Sequence, residues 1–188
     1  MGTENRVSFV VPAKNEEDYI GDTLKSIRNH ETNVRYEISV VDGGSTDSTP
    51  EIAEEFGANV YYQDGGGIGR GRHIGACRSS GNWLAFIDAD TVVVPRYLDT
   101  MLSYVEENAL VAGSSLCDMV GVRRAKIMEG TINHVFSRLS RPILPGFNFF
   151  VDSDTSRQED FLTFPTKTPP LASSSPTTGG PDTALRYW

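Results

Sequence analysis

Short apolar runs alternate with amphipathic stretches through the first hundred residues of this 188-residue chain. Val7 to Val11 reads as a strand closed by Pro12, because proline has no amide to give a ladder. Glu16 to His30 follows with Ile20, Leu24 and Ile27 on one stripe at helical spacing. Ile38 to Val41 reads as a second strand. Ser48-Thr49-Pro50-Glu51 then opens a second helix, since a capping hydroxyl, a proline in the first turn and an early glutamate suit an N-terminus. Asp47 belongs to that cap region, and Gly57 ends the helix. Ala58 to Tyr62 reads as a third strand, Gly65 to Gly71 as a glycine-rich loop, His73 to Ser80 as a helix, Trp83 to Ile87 as a fourth strand and Pro95 to Asn108 as a helix. Strands alternating with helices at this spacing predict an α/β fold, a mostly parallel Rossmann-like sheet flanked by helices.

Beyond this point the pattern loosens. Ala109 to Val122 is strand-rich, and Ala125 to Leu139 carries Met128, Ile132, Val135, Phe136 and Leu139 at helical spacing. Arg123, Arg124, Lys126, Arg138 and Arg141 flank that stripe. Two readings stand: a helix packed on the sheet with solvated ends, or a peripheral contact of 123–141 with a membrane surface or lipid phosphate. After Thr155 the composition changes to five prolines and a Ser173-Ser174-Ser175 run with no period. The chain therefore divides into a domain over 1–155 and an irregular tail over 156–188, leaving the fold incomplete at its C-terminus.

Net charge is −8 with a pI near 4.9, which argues against nonspecific binding to nucleic acid. The acidity sits in residues 1–90, with 15 Asp and Glu against 8 Lys and Arg. Cys77 and Cys117 show no metal-ligand spacing and read as buried free thiols in a reducing compartment. No signal-peptide core and no apolar stretch of roughly 18 residues occurs, so the expected location is cytoplasmic, at the inner membrane face if the basic stripe meets lipid.

Two of the apolar runs end in carboxylates. Ile38 to Val41 runs into Asp42-Gly43-Gly44-Ser45, and Trp83 to Ile87 runs into Asp88-Ala89-Asp90. The carboxyl ends of parallel strands form the ligand crevice of an open α/β sheet, so both clusters are expected at one edge. Asp42, Asp88 and Asp90 repel one another there unless a cation offsets them, and hard oxygen ligands favour Mg²⁺ or Mn²⁺. That arrangement suits a metal-bridged diphosphate. Strand alternation is expected to point Asp88 and Asp90 to the same side.

Three ordered motifs, Val10-Val11-Pro12-Ala13-Lys14-Asn15-Glu16-Glu17, Val41-Asp42-Gly43-Gly44-Ser45-Thr46-Asp47-Ser48-Thr49 and Phe86-Ile87-Asp88-Ala89-Asp90, resemble those of the family 2 glycosyltransferases. The resemblance covers roughly residues 6 to 155. It implies the GT-A fold and inverting transfer from a nucleotide-diphospho-sugar donor to an acceptor that is a hydroxyl or a lipid phosphate. By the same resemblance Pro12, Asn15 and Glu16 line the nucleotide pocket, and Asp42 accepts hydrogen bonds from the base or its vicinity. Asp88 touches ribose and, with Asp90, holds the divalent metal, Mn²⁺ or Mg²⁺, on the diphosphate. Arg72 matches an arginine near the diphosphate, a role its forked donors suit, with a solvated arginine as the competing reading. Pro145-Gly146-Phe147-Asn148 resembles the acceptor-side loop, which brings in Gly146 and Asn148.

Inverting transfer needs a base for the acceptor hydroxyl, and in the family this is an Asp in a Glu-Asp motif. Glu159-Asp160 lacks the Gly-Gly-Phe lead expected before it. Codons can be chosen for Ser156 to Ala172 that, after one inserted base, encode a peptide with both the Gly-Gly lead and a Glu-Asp pair, so the expectation is a frameshift or truncation after Thr155. The catalytic residue stays unassigned. Two other readings remain: a noncatalytic nucleotide-sugar-binding remnant, and a nicotinamide oxidoreductase using the Gly65–Gly71 stretch, which lacks a complete G-x-G-x-x-G.

Overall fold

The computed structural model describes residues 7–115 and 148–156. The first three strands are β1 (Val7–Ala13), β2 (Tyr36–Asp42) and β3 (Asn59–Tyr62), joined through α1 (Ile20–Arg28) and α2 (Thr49–Glu55). Then come α3 (Gly67–Arg78), β4 (Trp83–Phe86), α4 (Tyr97–Glu107), β5 (Ala112–Ser114), β6 (Phe149–Asp152) and the single turn α5 (Ser153–Ser156). They build one sheet of order β3-β2-β1-β4-β6-β5. β1 to β4 are parallel, and β6 runs antiparallel to both β4 and β5. The expected α/β sheet, mostly parallel and flanked by helices, is thus observed.

β1 is buried along its whole length because both of its faces are covered. Its odd positions Val7, Phe9 and Val11 pack with Ile38 and Val40 against Ile20, Leu24 and Ile27 of α1 and Leu98, Leu102 and Val105 of α4. Val10 faces the other way, with Leu84, Phe86, Phe149, Val151 and Ala76 of α3. The predicted α1 stripe is this first face, all three residues being fully buried.

Several boundaries differ from expectation, each for a local reason. Pro12 does not close β1, which continues through Ala13 in register with Asp42. The carbonyl of Val10 accepts from Ile87 on the β4 side, so Pro12, two residues on, turns its amide-less nitrogen to that side, where the β4 pairing has already ended at Phe86. The glycine loop is also shorter than predicted, because α3 begins at Gly67. Gly66 supplies the left-handed turn at φ 91°, and a Cβ on Gly75 would collide with Val10. Gly71 and Gly75 are therefore a packing surface that lets the helix lie directly on β1. Cys77 is exposed rather than buried, since the inward face of α3 is Gly71, Arg72, Gly75 and Ala76. α1 starts at Ile20 rather than Glu16, with residues 16–19 forming a turn. The Ser48 hydroxyl makes no cap bond, and Asp47 accepts the Thr49 amide instead.

Cys117, the 123–141 stripe, Gly146, Glu159-Asp160 and the tail beyond Ser156 lie outside the described residues. No helix among the described residues is long and apolar enough to cross a membrane.

Candidate functional site

The chain runs outward through β1, β2 and β3, then returns to place β4 on the other side of β1. The order therefore reverses between β1 and β4, and the crevice of such a sheet opens at the carboxyl ends of those two strands. Pro12 to Glu16 leave β1 there, and Asp88 to Asp90 leave β4. The two predicted motifs flank one switch point.

The β1–α1 turn is tied to the β2–α2 loop. Three successive amides donate to side chains across the gap: Asn15 to Ser45 Oγ at 2.9 Å, Glu16 to Thr49 Oγ1 at 2.8 Å and Glu17 to Asp47 Oδ2 at 3.2 Å. Bonds also run the other way, from the Thr46 amide to Asn15 Oδ1 at 2.8 Å and from the Ser48 amide to Glu17 Oε2 at 3.1 Å. Asn15 takes φ 56°, a left-handed conformation that asparagine tolerates better than most residues. Burial pushes the Asp47 carboxyl up, but the bonds from Thr49 and Glu17 more than offset it, and it rests below the usual carboxylate range.

Asp42 behaves differently from expectation. It is buried, and its carboxylate folds back to accept the amides of Gly44 at 3.0 Å and Ser45 at 3.1 Å. β2 also lies on the far side of β1 from β4. Among the described residues no group of three or more His, Cys, Asp and Glu side chains is gathered to hold a metal ion. β1 thus stands between Asp42 and the pair Asp88 and Asp90, and Glu16 is a carboxylate that feels the charge of that pair.

Asp88 and Asp90 sit in a turn beyond the end of β4, so strand alternation does not orient them. Ala89 between them is buried, and its carbonyl accepts the Thr23 hydroxyl of α1 at 2.7 Å, which anchors the turn. Arg72 reaches from α3 to Asp88, with Nη2 2.9 Å from Oδ1. Arg72 is buried, which excludes the solvated reading, and its Nε has no partner among the described residues. Burial raises the Asp88 carboxyl; Arg72 pulls it down, Asp90 pushes it up, and the net direction is upward. Glu16 is raised as well, first by burial and then by the charges of Asp90, Asp47 and Asp88. The site thus carries more negative charge than Arg72 offsets.

That excess is the observation a divalent cation fits. Asp90 is exposed and accepts no hydrogen bond among the described residues, and one or two carboxylates plus ligand phosphates is a common Mg²⁺ or Mn²⁺ donor set. Asn148, by contrast, is engaged within the fold. Its Oδ1 accepts the Tyr97 hydroxyl at 2.7 Å, its Nδ2 donates to Ser115 Oγ, and its carbonyl accepts the Ser114 hydroxyl. It ties the start of β6 to α4 and the end of β5. His73 lies exposed on α3 beside Cys77.

The sequence pattern missed Thr49 as a partner of the Glu16 turn, and Thr23 and Ser26 as supports under the β4–α4 loop, where Ser26 Oγ accepts the Val93 amide at 2.9 Å. Asp47 and Thr49 carried a capping signal. Their reach across to another loop did not show in it.

A model of glycosyl transferase family 2 matches residues 8–162. EpsH of Bacillus subtilis, described as a glycosyltransferase, is 39% identical over 101 residues, which is 51% of this chain and 29% of that protein. The 4,4'-diaponeurosporenoate glycosyltransferase of Staphylococcus haemolyticus is 37% identical over 95 residues, 47% of this chain and 25% of that one. The chain thus spans less than a third of these relatives. Among solved structures, residues 1–349 of S. aureus TarS in complex with UDP-GlcNAc match with a TM-score of 0.61 at 22% identity, over 82% of this chain and 47% of that one. Glucosyl-3-phosphoglycerate synthase from Mycobacterium tuberculosis, in complex with Mn²⁺, UDP and glucosyl-3-phosphoglycerate, matches with 0.61 at 22%, over 80% and 57%. At that identity the likeness is one of fold.

Proposed function

Because the chain belongs to glycosyl transferase family 2, we propose that its GT-A domain binds a nucleotide-diphospho-sugar at the β1/β4 edge and serves inverting transfer of the sugar to an acceptor hydroxyl or lipid phosphate. The observation that carries the reading is the cluster of Arg72, Asp88, Asp90 and Glu16 at the switch point of a parallel sheet. Pro12, Asn15 and Glu16 form one wall for the nucleotide, with Asp42 behind it at the end of β2. Arg72 offers its guanidinium to diphosphate oxygens, and Asp88 and Asp90 would hold a divalent cation. Bound there, the cation would neutralise charge on the diphosphate leaving group.

UDP-GlcNAc is the first probe, since it is the ligand of the TarS complex. A thermal-shift panel of UDP-GlcNAc, other nucleotide sugars and NAD(P), each with Mn²⁺ and with EDTA, tests the proposal through binding linkage. Stabilisation by a nucleotide sugar that grows with Mn²⁺ is expected. Stabilisation by NAD(P) alone would overturn the reading in favour of a dinucleotide site. Donor binding without hydrolysis or transfer to any acceptor would leave a noncatalytic nucleotide-sugar-binding domain.

A further inference from the structure

Resting on the donor-site reading, we propose that Asp47 and Thr49 are positioning residues that hold the Glu16 turn against the Asp88–Asp90 loop, so that the interloop clasp sets the shape of the donor site. Both residues act through the backbone of another loop.

The chemistry of the turn demands such a hold. Glu16 feels the like charges of Asp90, Asp47 and Asp88, and repulsion of that kind drives a surface turn outward unless something opposes it. Residues 16–19 are not yet helix, so the amides of Asn15, Glu16 and Glu17 lack the intrahelical acceptors that later residues have. The opposing loop supplies all three acceptors, Ser45 Oγ, Thr49 Oγ1 and Asp47 Oδ2.

Thr49 and Asp47 form the centre of the clasp. Thr49 is fully buried, donates its hydroxyl to Asp47 Oδ1 at 2.6 Å and accepts the Glu16 amide with the same oxygen. Asp47 Oδ1 also accepts the Thr49 amide at 3.1 Å, while its Oδ2 takes the Glu17 amide. One carboxylate therefore fixes two successive peptides of the turn, one directly and one through a hydroxyl. A hydrogen bond to a charged acceptor is stronger and more directional than one to water, which suits a group that must hold position rather than react.

Three variants and two measurements test this. Thr49→Val removes the acceptor for the Glu16 amide at nearly constant volume, and Thr49→Ser keeps it. Asp47→Asn removes the Oδ2 acceptor for Glu17 and serves if the valine variant does not fold. In the ligand-free chain, amide exchange at Glu16 is expected to rise roughly tenfold in Thr49→Val and to stay within about twofold of wild type in Thr49→Ser. In calorimetric titration with UDP-GlcNAc, the gain in affinity on adding Mn²⁺ is expected to shrink roughly tenfold in Thr49→Val and Asp47→Asn, while affinity in EDTA changes far less. Loss of fold stability alone would lower both affinities together. Equal losses in the valine and serine variants, or a wild-type Glu16 amide that exchanges as fast as the valine variant's, overturn the positioning role alone. A wild-type chain that binds no nucleotide sugar overturns the donor-site reading, and the positioning role falls with it.

Discussion

The two loops that face each other across the β1/β4 switch point are held by opposite means. The β1–α1 turn is fastened by side-chain oxygens on backbone amides, with Ser45, Thr49 and Asp47 engaging three consecutive peptides. The β4–α4 loop is fastened from beneath, by buried Ala89 and Val93 and by the Thr23 and Ser26 hydroxyls of α1 on their backbone. The first mode occupies the backbone amides of its turn; the second leaves Asp90, Val92 and Val94 facing outward. One wall of the crevice is thereby tied down through its backbone, with the Glu16 charge left to the site, and the other presents Asp90 with no hydrogen-bond partner among the described residues. Such a division suits a site where one side shapes the ligand and the other binds it.

The largest effect expected at the open wall comes from Arg72→Met. The substitution keeps most of the side-chain volume but strips Asp88 of its counter-charge, and breaking a buried pair this way costs about 3–5 kcal/mol. Asp88 keeps 28% of its side chain exposed, so a loss of about 2–3 kcal/mol in urea unfolding at neutral pH is expected. The Asp88 carboxyl, already raised, should rise further, and the loss should shrink as the pH is lowered and Asp88 takes up its proton. A change under about 0.5 kcal/mol would show that water, not Arg72, solvates Asp88.

Next in size is Gly75→Ala on the helix that carries Arg72. A Cβ there meets Val10 in the middle of β1, and overpacking of this kind costs about 1–3 kcal/mol. Because α3 must shift off the sheet, the Arg72–Asp88 pair should lengthen while the clasp, which α3 does not join, keeps its amide protection. Loss of protection at Glu16 as well as at the Asp88 loop would break the division between the two walls.

The asymmetry was only partly legible in the chain. The parallel strands were, since each is a short run rich in valine, isoleucine or aromatics bounded by proline, glycine or a carboxylate, and so was the meeting of the first and third motifs at one edge. The start of α3 was misread because clustered glycines signal a turn, whereas here Gly71 and Gly75 spare the helix Cβ atoms that β1 has little room for. Arg72 was singled out, but the choice between a phosphate-facing and a solvated guanidinium was decided only by its burial on α3 and its bond to Asp88. Asp42 ends its strand as expected, but the choice between a ligand and the amides of Gly44 and Ser45 is made by local turn geometry. His30 gave no signal at all. Its Nε2 accepts the Leu98 amide at 2.8 Å and so does for α4 what Arg96, at the N-cap with φ 62°, does not.

Acid should separate the two fastenings. Burial lowers the pKa of His30, with Asp99 pulling the other way, so the unfolded imidazole binds its proton first. Stability from His30 is then complete above the unfolded value of about 6.5 and falls as the pH drops below it. Asp47 is also lowered, and its contribution is lost only as the pH falls below the unfolded carboxylate value of about 3.9. Between pH 7 and 5, the protection factor of the Leu98 amide, its exchange relative to an unstructured peptide at the same pH, should fall several-fold while that of Glu17 holds. Parallel loss at both amides would mean that one cooperative unit, not two, forms this edge.

The smallest effects are expected at the outward valines, and they bear on the same division. Val92 and Val94 are 66% and 64% exposed, whereas Val93 between them is 7% exposed. If the loop is held only by its inward positions, Val92→Thr and Val94→Thr remove apolar surface that folding never took from water. Each should shift the urea midpoint by less than about 0.5 kcal/mol equivalent. The loop's backbone stays anchored through the Val93 amide on Ser26, so amide exchange at Val93 should also be unchanged. A loss above about 1 kcal/mol in either variant, the size of a buried methyl group, would mean that these side chains are covered. The open wall would then be fastened from both sides, as the clasped one is.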